Sequence, residues 1–234
     1  MKTVIIISAN AEWHAVKELY PNLELQNSPY GELADIIIEN RPLTLFHGGW
    51  GKISAAATAQ YVIDYLKPDL LINLGTCGGF AGRIETGSII LVERTVVYDI
   101  VEQMTDSDEA IEHYSTELNL SFLPQVLPFP VLRGLLVSAD RDIIFEDIPS
   151  LIEKYSAVAA DWESGAIAWV ANKNNVKCLI LRGVSDLVSS EAGEAYGNYE
   201  LFANRTKQVM RKLFEQLPKW QEVIEKVEEG YRGY

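Results

Sequence analysis

The stretch that most constrains the fold is DWESGAIAWVANKNNVKCLILRGVSD, residues 161–186, where a helical pattern and a buried-strand pattern meet across four polar residues. Val176 to Leu181 is apolar apart from Lys177 and too short for a helix, as expected of a parallel strand covered on both faces. Upstream, Gly165 to Val170 is small or apolar with helical propensity, and Ala166, Ala168 and Ala171 let such a helix lie close against a sheet. Asp161 is placed to cap it, with Ser164 three residues on. Packing explains all of this except two carboxylates. Glu163 stands at the helix start and Asp186 just beyond the strand's carboxyl end, the edge at which open α/β sheets bind ligands.

The same alternation runs through the chain. Strand-like runs at Val4–Ser8, Ile36–Ile38, Leu43–His47, Leu70–Leu74, Ser88–Tyr98 and Gly134–Ser138 alternate with helical patterns, one of them Ser54 to Leu66. This order predicts one α/β domain over residues 1–234, with a central mixed, mostly parallel sheet flanked by helices. Glu102 to Pro130 reads as a surface excursion and candidate lid. Tyr196 to Gln216 reads as an amphipathic helix broken at Pro218, and 219–234 as a charged helical extension, a solvated cap or interface element.

Composition narrows the partners. With 33 acidic against 20 basic residues and a net charge of −13, the chain is poorly suited to a nucleic-acid backbone or an anionic membrane. A small ligand fits better. Cys77 and Cys178 have no CxxC spacing and read as core hydrophobes, while His14 and His113 lack partners at metal spacing, so no metal and no cofactor is expected. Met1 leads straight into a strand pattern, and no apolar run suffices to span a bilayer, which places the expected location in the cytoplasm.

Two glycine-rich stretches follow apolar runs, HGGWGK at 47–52 and NLGTCGG at 73–79. Neither is a Walker loop or a GxGxxG fingerprint, and tight-turn chemistry accounts for either alone. Glycines there also let backbone amides face a ligand, and Thr76 adds a hydroxyl beside Gly78. Glu12, NLGTCGG, DWESGAIA and RGVSD are ordered so that all can converge on one sheet edge.

In that ordered set, and in INLGTCGG, RGLLVSAD, DWESGAIAWV and LRGVSD especially, the sequence resembles the purine nucleoside phosphorylase and nucleosidase superfamily, most closely the methylthioadenosine/S-adenosylhomocysteine nucleosidases, from Met1 to about Leu217. The resemblance implies a nucleoside phosphorylase-like fold, cleavage of a purine N-glycosidic bond through an oxocarbenium-like sugar, and a homodimer. It implies that Glu163 accepts hydrogen bonds from ribose hydroxyls and that Asp186 serves N7 of the base. Asp161, Trp162, Thr76, Gly78, Ser185 and Phe145 are the accompanying candidates for substrate contact.

The chemistry agrees. A purine leaves readily only if N7 is protonated, so Asp186 needs a pKa well above about 3.9, whereas Glu163 must stay ionised to favour a cationic sugar. The bland alternative is that both merely cap backbone amides.

Water and phosphate both remain open as nucleophile. The phosphorylases place a phosphate-gripping arginine two residues before the Gly-Thr loop, where this chain has Asn73, which favours hydrolysis. The nucleosidases place a water-activating glutamate in the first loop. Counted strictly, Trp13 holds that position and Glu12 sits one step early, yet Glu12 is the candidate base. Trp162 replaces the family's usual methionine, and Arg141 and Asp142 stand where an aromatic often meets the base, with Phe145 the next aromatic. Arg141 and His47 are candidates for an anionic substituent, Trp13 and Trp50 for ligand contact, and Arg182 for pairing with a carboxylate. A phosphorylase, or a catalytically degenerate nucleoside-binding protein, is the alternative reading.

Overall fold

The computed structural model describes residues 1–189 and 192–232. Strand β1 (Thr3–Ile7) alternates its side chains between two layers: Ile5 and Ile7 join one buried cluster, Val4 and Ile6 another. It leads into helix α1 (Asn10–Leu19) and the antiparallel strands β2 (Gln26–Ser28), β3 (Gly31–Ile38) and β4 (Arg41–His47). Helix α2 (Lys52–Tyr61) ends in a widened π-turn over Val62–Leu66. Then come β5 (Leu70–Phe80), β6 (Ile89–Val97), α3 (Ser107–His113), β7 (Thr116–Glu117) and β8 (Leu132–Ser138). A 3-10 turn at Phe145–Asp147 opens α4 (Ile148–Tyr155). The chain closes with β9 (Ala159–Asp161), α5 (Ser164–Lys173), β10 (Lys177–Ser189), β11 (Ala192–Gly193) and α6 (Tyr199–Arg232).

Helices α1 and α6 cover one face and α2 and α5 the other, as expected of an α/β chain. The sheet is less parallel than expected. Among the described residues five strand pairings are parallel and six antiparallel. Four of the antiparallel pairings are β2–β3, β3–β4, β6–β7 and β10–β11. Strand β5 pairs with both β9 and β10, so β5, β10, β6, β8 and β9 form a closed ring of five strands, from which β1, β4, β3 and β2 continue as an open wing. Within the ring the antiparallel pairs are β10–β6 and β5–β9, and closure removes the ring's edges.

Two stretches expected to be loops are strand. NLGTCGG continues β5, with Gly78 opposite Ala160 on β9 and Asp186 on β10. RGVSD likewise lies inside β10, whose register with β5 shifts between Val184 and Asp186, a bulge at Ser185. Bulges re-aim side chains beside functional sites.

Pro218 does not end α6. Proline removes the donor to the carbonyl of residue 214, yet Leu217, Trp220 and Ile224 are fully buried on the same stripe, and this packing carries the helix through. Trp220 and Ile224 thus bring the start of the 219–234 segment into the core, while residues 225–230 are half-buried or exposed; Gly233 and Tyr234 of the expected extension lie outside the described residues. The 102–130 excursion is also anchored, with Phe122 buried and Leu120, Leu123, Leu127 and Phe129 packed on the core. Among the described residues no helix is long and apolar enough to cross a membrane.

Candidate active site

A cavity of about 720 Å³ opens where β5, β9 and β10 meet the starts of α1, α5 and α6. Glu12, Thr76, Gly78, Asp161, Trp162, Glu163, Ser185 and Asp186 all line it. Phe145 does not. It sits on the 3-10 turn, 39% exposed, and Ile143 from the same loop faces the cavity instead.

Glu12 reaches the cavity because α1 starts at Asn10 and puts it in the first turn. Its Oε2 accepts from the Ala9 N–H at 3.1 Å, and its Oε1 from the Thr76 N–H at 2.6 Å and the Thr76 hydroxyl at 2.9 Å. Trp13, about 100° further round the helix, turns into the core. Its indole donates to Glu32 at 2.6 Å and stacks on His47 with centroids 5.4 Å apart. The one-residue ambiguity in the sequence thus resolves to Glu12 at the cavity, with neither Trp13 nor His47 lining it.

Behind Glu12 lies a buried ionic cluster built on Arg182, which is 0% exposed. The guanidinium donates to Asn73 Oδ1 at 2.7 Å, Ser164 Oγ at 2.9 Å and the Thr76 carbonyl at 3.4 Å. It pairs with Asp161 at 3.0 Å and Glu12 at 3.7 Å. Burial pulls its pKa down, but the carboxylates of Asp161, Glu12 and Glu163 outweigh burial and hold it charged. This cluster requires glycine at 75, where a Cβ would lie 2.0 Å from Arg182 Nη1 and 2.6 Å from Glu12 Oε1. Asp161 is tied further by the Ser138 hydroxyl at 2.6 Å and the Ser164 N–H at 3.1 Å; it neutralises Arg182 and satisfies the first N–H of α5, whose N-cap residue is Glu163 and not Asp161 as expected.

Glu163 is 6% exposed and accepts from the Gly51 N–H at 3.0 Å. Glycine at 51 permits this with φ +86°. Burial, then the charge of Asp161, pushes its pKa up to about 8, against Arg182 and the Gly51 N–H. Sequence reasoning expects an ionised Glu163; here desolvation tips the balance toward the proton. Asp186, just past the bulge, accepts from the Ser185 hydroxyl at 2.6 Å. Its pKa is raised chiefly by burial, with Glu194 and Asp142 adding to the rise while Ser185 and Arg205 oppose it.

Sequence reasoning missed the wall supplied by Tyr196, Tyr199 and Phe202. Tyr196 donates to the Ile143 carbonyl at 2.6 Å, tying the start of α6 to the loop after β8. Their spacing of three was visible, but it reads equally as the apolar stripe of an ordinary helix. Among the described cavity-lining residues Arg141 is the one basic side chain, and it pairs with Asp147 and lies over the Tyr98 ring.

The family model described as the Phosphorylase superfamily matches residues 2–217. This chain belongs to the phosphorylase superfamily. Within the superfamily, a 5′-methylthioadenosine/S-adenosylhomocysteine nucleosidase of Buchnera aphidicola subsp. Schizaphis graminum is 28% identical over 203 residues, 82% of this chain and 86% of the relative. The nucleosidase of the same name from Marinomonas sp. is 24% identical over 188 residues, 74% and 80% of the two chains. Among solved structures, the Campylobacter jejuni 5′-methylthioadenosine/S-adenosylhomocysteine nucleosidase superposes with TM-score 0.74 at 18% identity, covering 94% of this chain and 99% of the other. The futalosine hydrolase of Helicobacter pylori superposes with TM-score 0.77 at 17% identity, covering 94% and 97%. At such identities these two likenesses show the fold.

Proposed function

We propose that this chain hydrolyses the N-glycosidic bond of a purine nucleoside or 5′-thionucleoside, releasing free base and the ribose moiety. The observation that carries this reading is the convergence of three carboxyl groups, Glu12, Glu163 and Asp186, on one cavity in different electrostatic settings. The names of the superfamily relatives point the same way.

Asp186, whose pKa burial raises, gives its proton to N7 as the bond to N9 breaks and the bonding electron pair leaves with the base. Glu12, oriented by Thr76 and Ala9, takes a proton from the water that adds to the anomeric carbon. Glu163 accepts from the ribose hydroxyls. The developing sugar cation favours its ionised form, opposing the burial that raises its pKa.

Water is favoured over phosphate by the cations. Asn73 is buried and spends its amide on the Ile6 carbonyl at 3.0 Å and its oxygen on Arg182. Arg182 is enclosed and saturated, leaving no free guanidinium at Glu12 for a phosphate dianion. The same reading treats the chain as one domain that works as a homodimer in the cytoplasm, with no cofactor. Incubation with methylthioadenosine, adenosine and inosine, with and without phosphate, tests it: phosphate-independent appearance of free base is expected. Release only with phosphate would overturn hydrolysis in favour of phosphorolysis.

A further inference from the structure

The loop HGGWGK is held more firmly than its glycines suggest. Gly49 and Gly51 take φ +73° and +86°, and such residues give the chain little preference of its own for one path. Trp50 between them lines the cavity, and Gly51 gives its N–H to Glu163 Oε1. What fixes the path is Lys52, the first residue of α2. Its N–H donates to Asp140 Oδ1 at 2.7 Å, and its ammonium pairs with Asp99 and, at 3.8 Å, with Asp140. Asp99 in turn accepts from the Asp140 N–H at 3.0 Å. The start of α2 is thereby joined to the segments that follow β6 and β8. With side chains only 22% and 17% exposed, Lys52 and Asp99 are screened less than a surface pair, and the Asp140 carboxylate suits the N-terminus of a helix.

This latch bears on Glu163 from two directions. One is through Gly51, whose N–H is the only hydrogen-bond donor that the described residues give the Glu163 carboxylate. The other is through the end of β8, where the Ala139 N–H donates to the Asp161 carbonyl at 3.1 Å, two residues before Glu163. The charges of Asp161, Arg182 and Glu12 also act on Glu163, but none of these groups is hydrogen-bonded to it. Lys52, Asp99 and Asp140 do not line the cavity, so they act through Glu163 rather than on a ligand.

On the hydrolase reading, on which this inference rests, Glu163 meets the ribose hydroxyls. We propose that Lys52, with Asp99 and Asp140, is a positioning residue: it pins the glycine loop so that the Gly51 N–H fixes one oxygen of Glu163 and leaves the other aimed at the ribose hydroxyls, which strengthens discrimination for ribonucleosides over 2′-deoxyribonucleosides. A hydrogen bond to a charged group is worth roughly ten- to a hundredfold, and a carboxylate free to swing away forfeits most of it.

Two measurements test this. Exchange of the Gly51 amide, followed by NMR, reads the latch itself. In Lys52→Met and Asp140→Asn it is expected to quicken by about tenfold or more while the amides of β5 and β10 keep their protection. The effect on the site is read as kcat/KM for adenosine relative to 2′-deoxyadenosine, in phosphate-free buffer with free adenine measured by chromatography. Comparing this ratio between proteins cancels the intrinsic lability of the deoxynucleoside. It is expected to fall about tenfold in Lys52→Met and to be largely restored in Lys52→Arg. Damage to folding alone lowers both substrates alike and leaves the ratio unmoved. Unchanged Gly51 exchange, or an unchanged ratio, in folded Lys52→Met overturns the proposal. If Lys52→Met does not fold, Asp140→Asn is judged by the same two criteria. If the folded wild type releases no adenine from either nucleoside, the hydrolase reading fails, and the latch is then judged by exchange alone: quickened exchange at Gly51 supports it, and unchanged exchange overturns it.

Discussion

Replacing Arg182 with methionine keeps much of the side-chain volume and removes the charge on which the site is built. The guanidinium is fully buried, and the side chains of its partners Asp161 and Glu12 are each only 2% exposed. The substitution leaves two buried carboxylates without their counter-charge, and breaking a buried pair in this way costs about 3–5 kcal/mol. For a chain of this size each kcal/mol moves Tm by roughly 2–4 °C, so a fall of about 6–20 °C is expected. The loss has a direction in pH. Carboxylates stripped of their cation stay ionised inside the protein only at a cost, so the gap to wild type widens from pH 5 to pH 8. Thermal melts by circular dichroism at the two pH values read both effects. A variant melting within 2 °C of wild type at both would refute the claim that Arg182 compensates this cluster.

Other perturbations separate the carboxyl groups. Glu163→Gln is expected to abolish base release yet stabilise the protein at pH 8: a carboxyl raised to about 8 contributes stability that is full below its unfolded value near 4.5 and lost as pH rises through 8. The gain, on the order of 2–4 kcal/mol at pH 8 and shrinking toward pH 5, is read by denaturant titration; a destabilised variant at pH 8 would count against a neutral Glu163. Asp186→Asn should lower kcat by about 10²–10⁴ with little change in Tm, and should flatten the alkaline fall of the pH–rate profile that reports loss of the Asp186 proton. Gly75→Ala should cost about 1–3 kcal/mol or more by driving its Cβ into Arg182 and Glu12, measured as a fall in denaturation midpoint.

The carboxylates were legible because each one interrupts a pattern that packing explains. Glu163 and Asp186 end elements whose other residues are apolar or small, and Glu12 follows the first strand at the same sheet edge. What stayed hidden depends on contacts between distant segments. NLGTCGG looks like a turn because glycines dominate it, but closure of the ring gives this strand partners on both sides, and Gly75 is required by a guanidinium more than a hundred positions away. Counting along the first loop left Glu12 and Trp13 competing for one role; only the start of α1 at Asn10 decides which faces the cavity. Pro218 is a helix breaker by its own chemistry, outweighed by Trp220 and Ile224 packing beyond it. Phe145 is a candidate only by being aromatic, whereas Tyr196 and its hydrogen bond to Ile143 join segments that no local pattern connects.

The central claim is that Glu12 activates water at the anomeric carbon, and a single-turnover reaction with methylthioadenosine in ¹⁸O-water tests it most directly. The account predicts a sugar product carrying one ¹⁸O at its anomeric position, formed equally with or without phosphate, and no labelled product on that timescale from Glu12→Gln. A sugar 1-phosphate, or labelling that proceeds undiminished in Glu12→Gln, would contradict it.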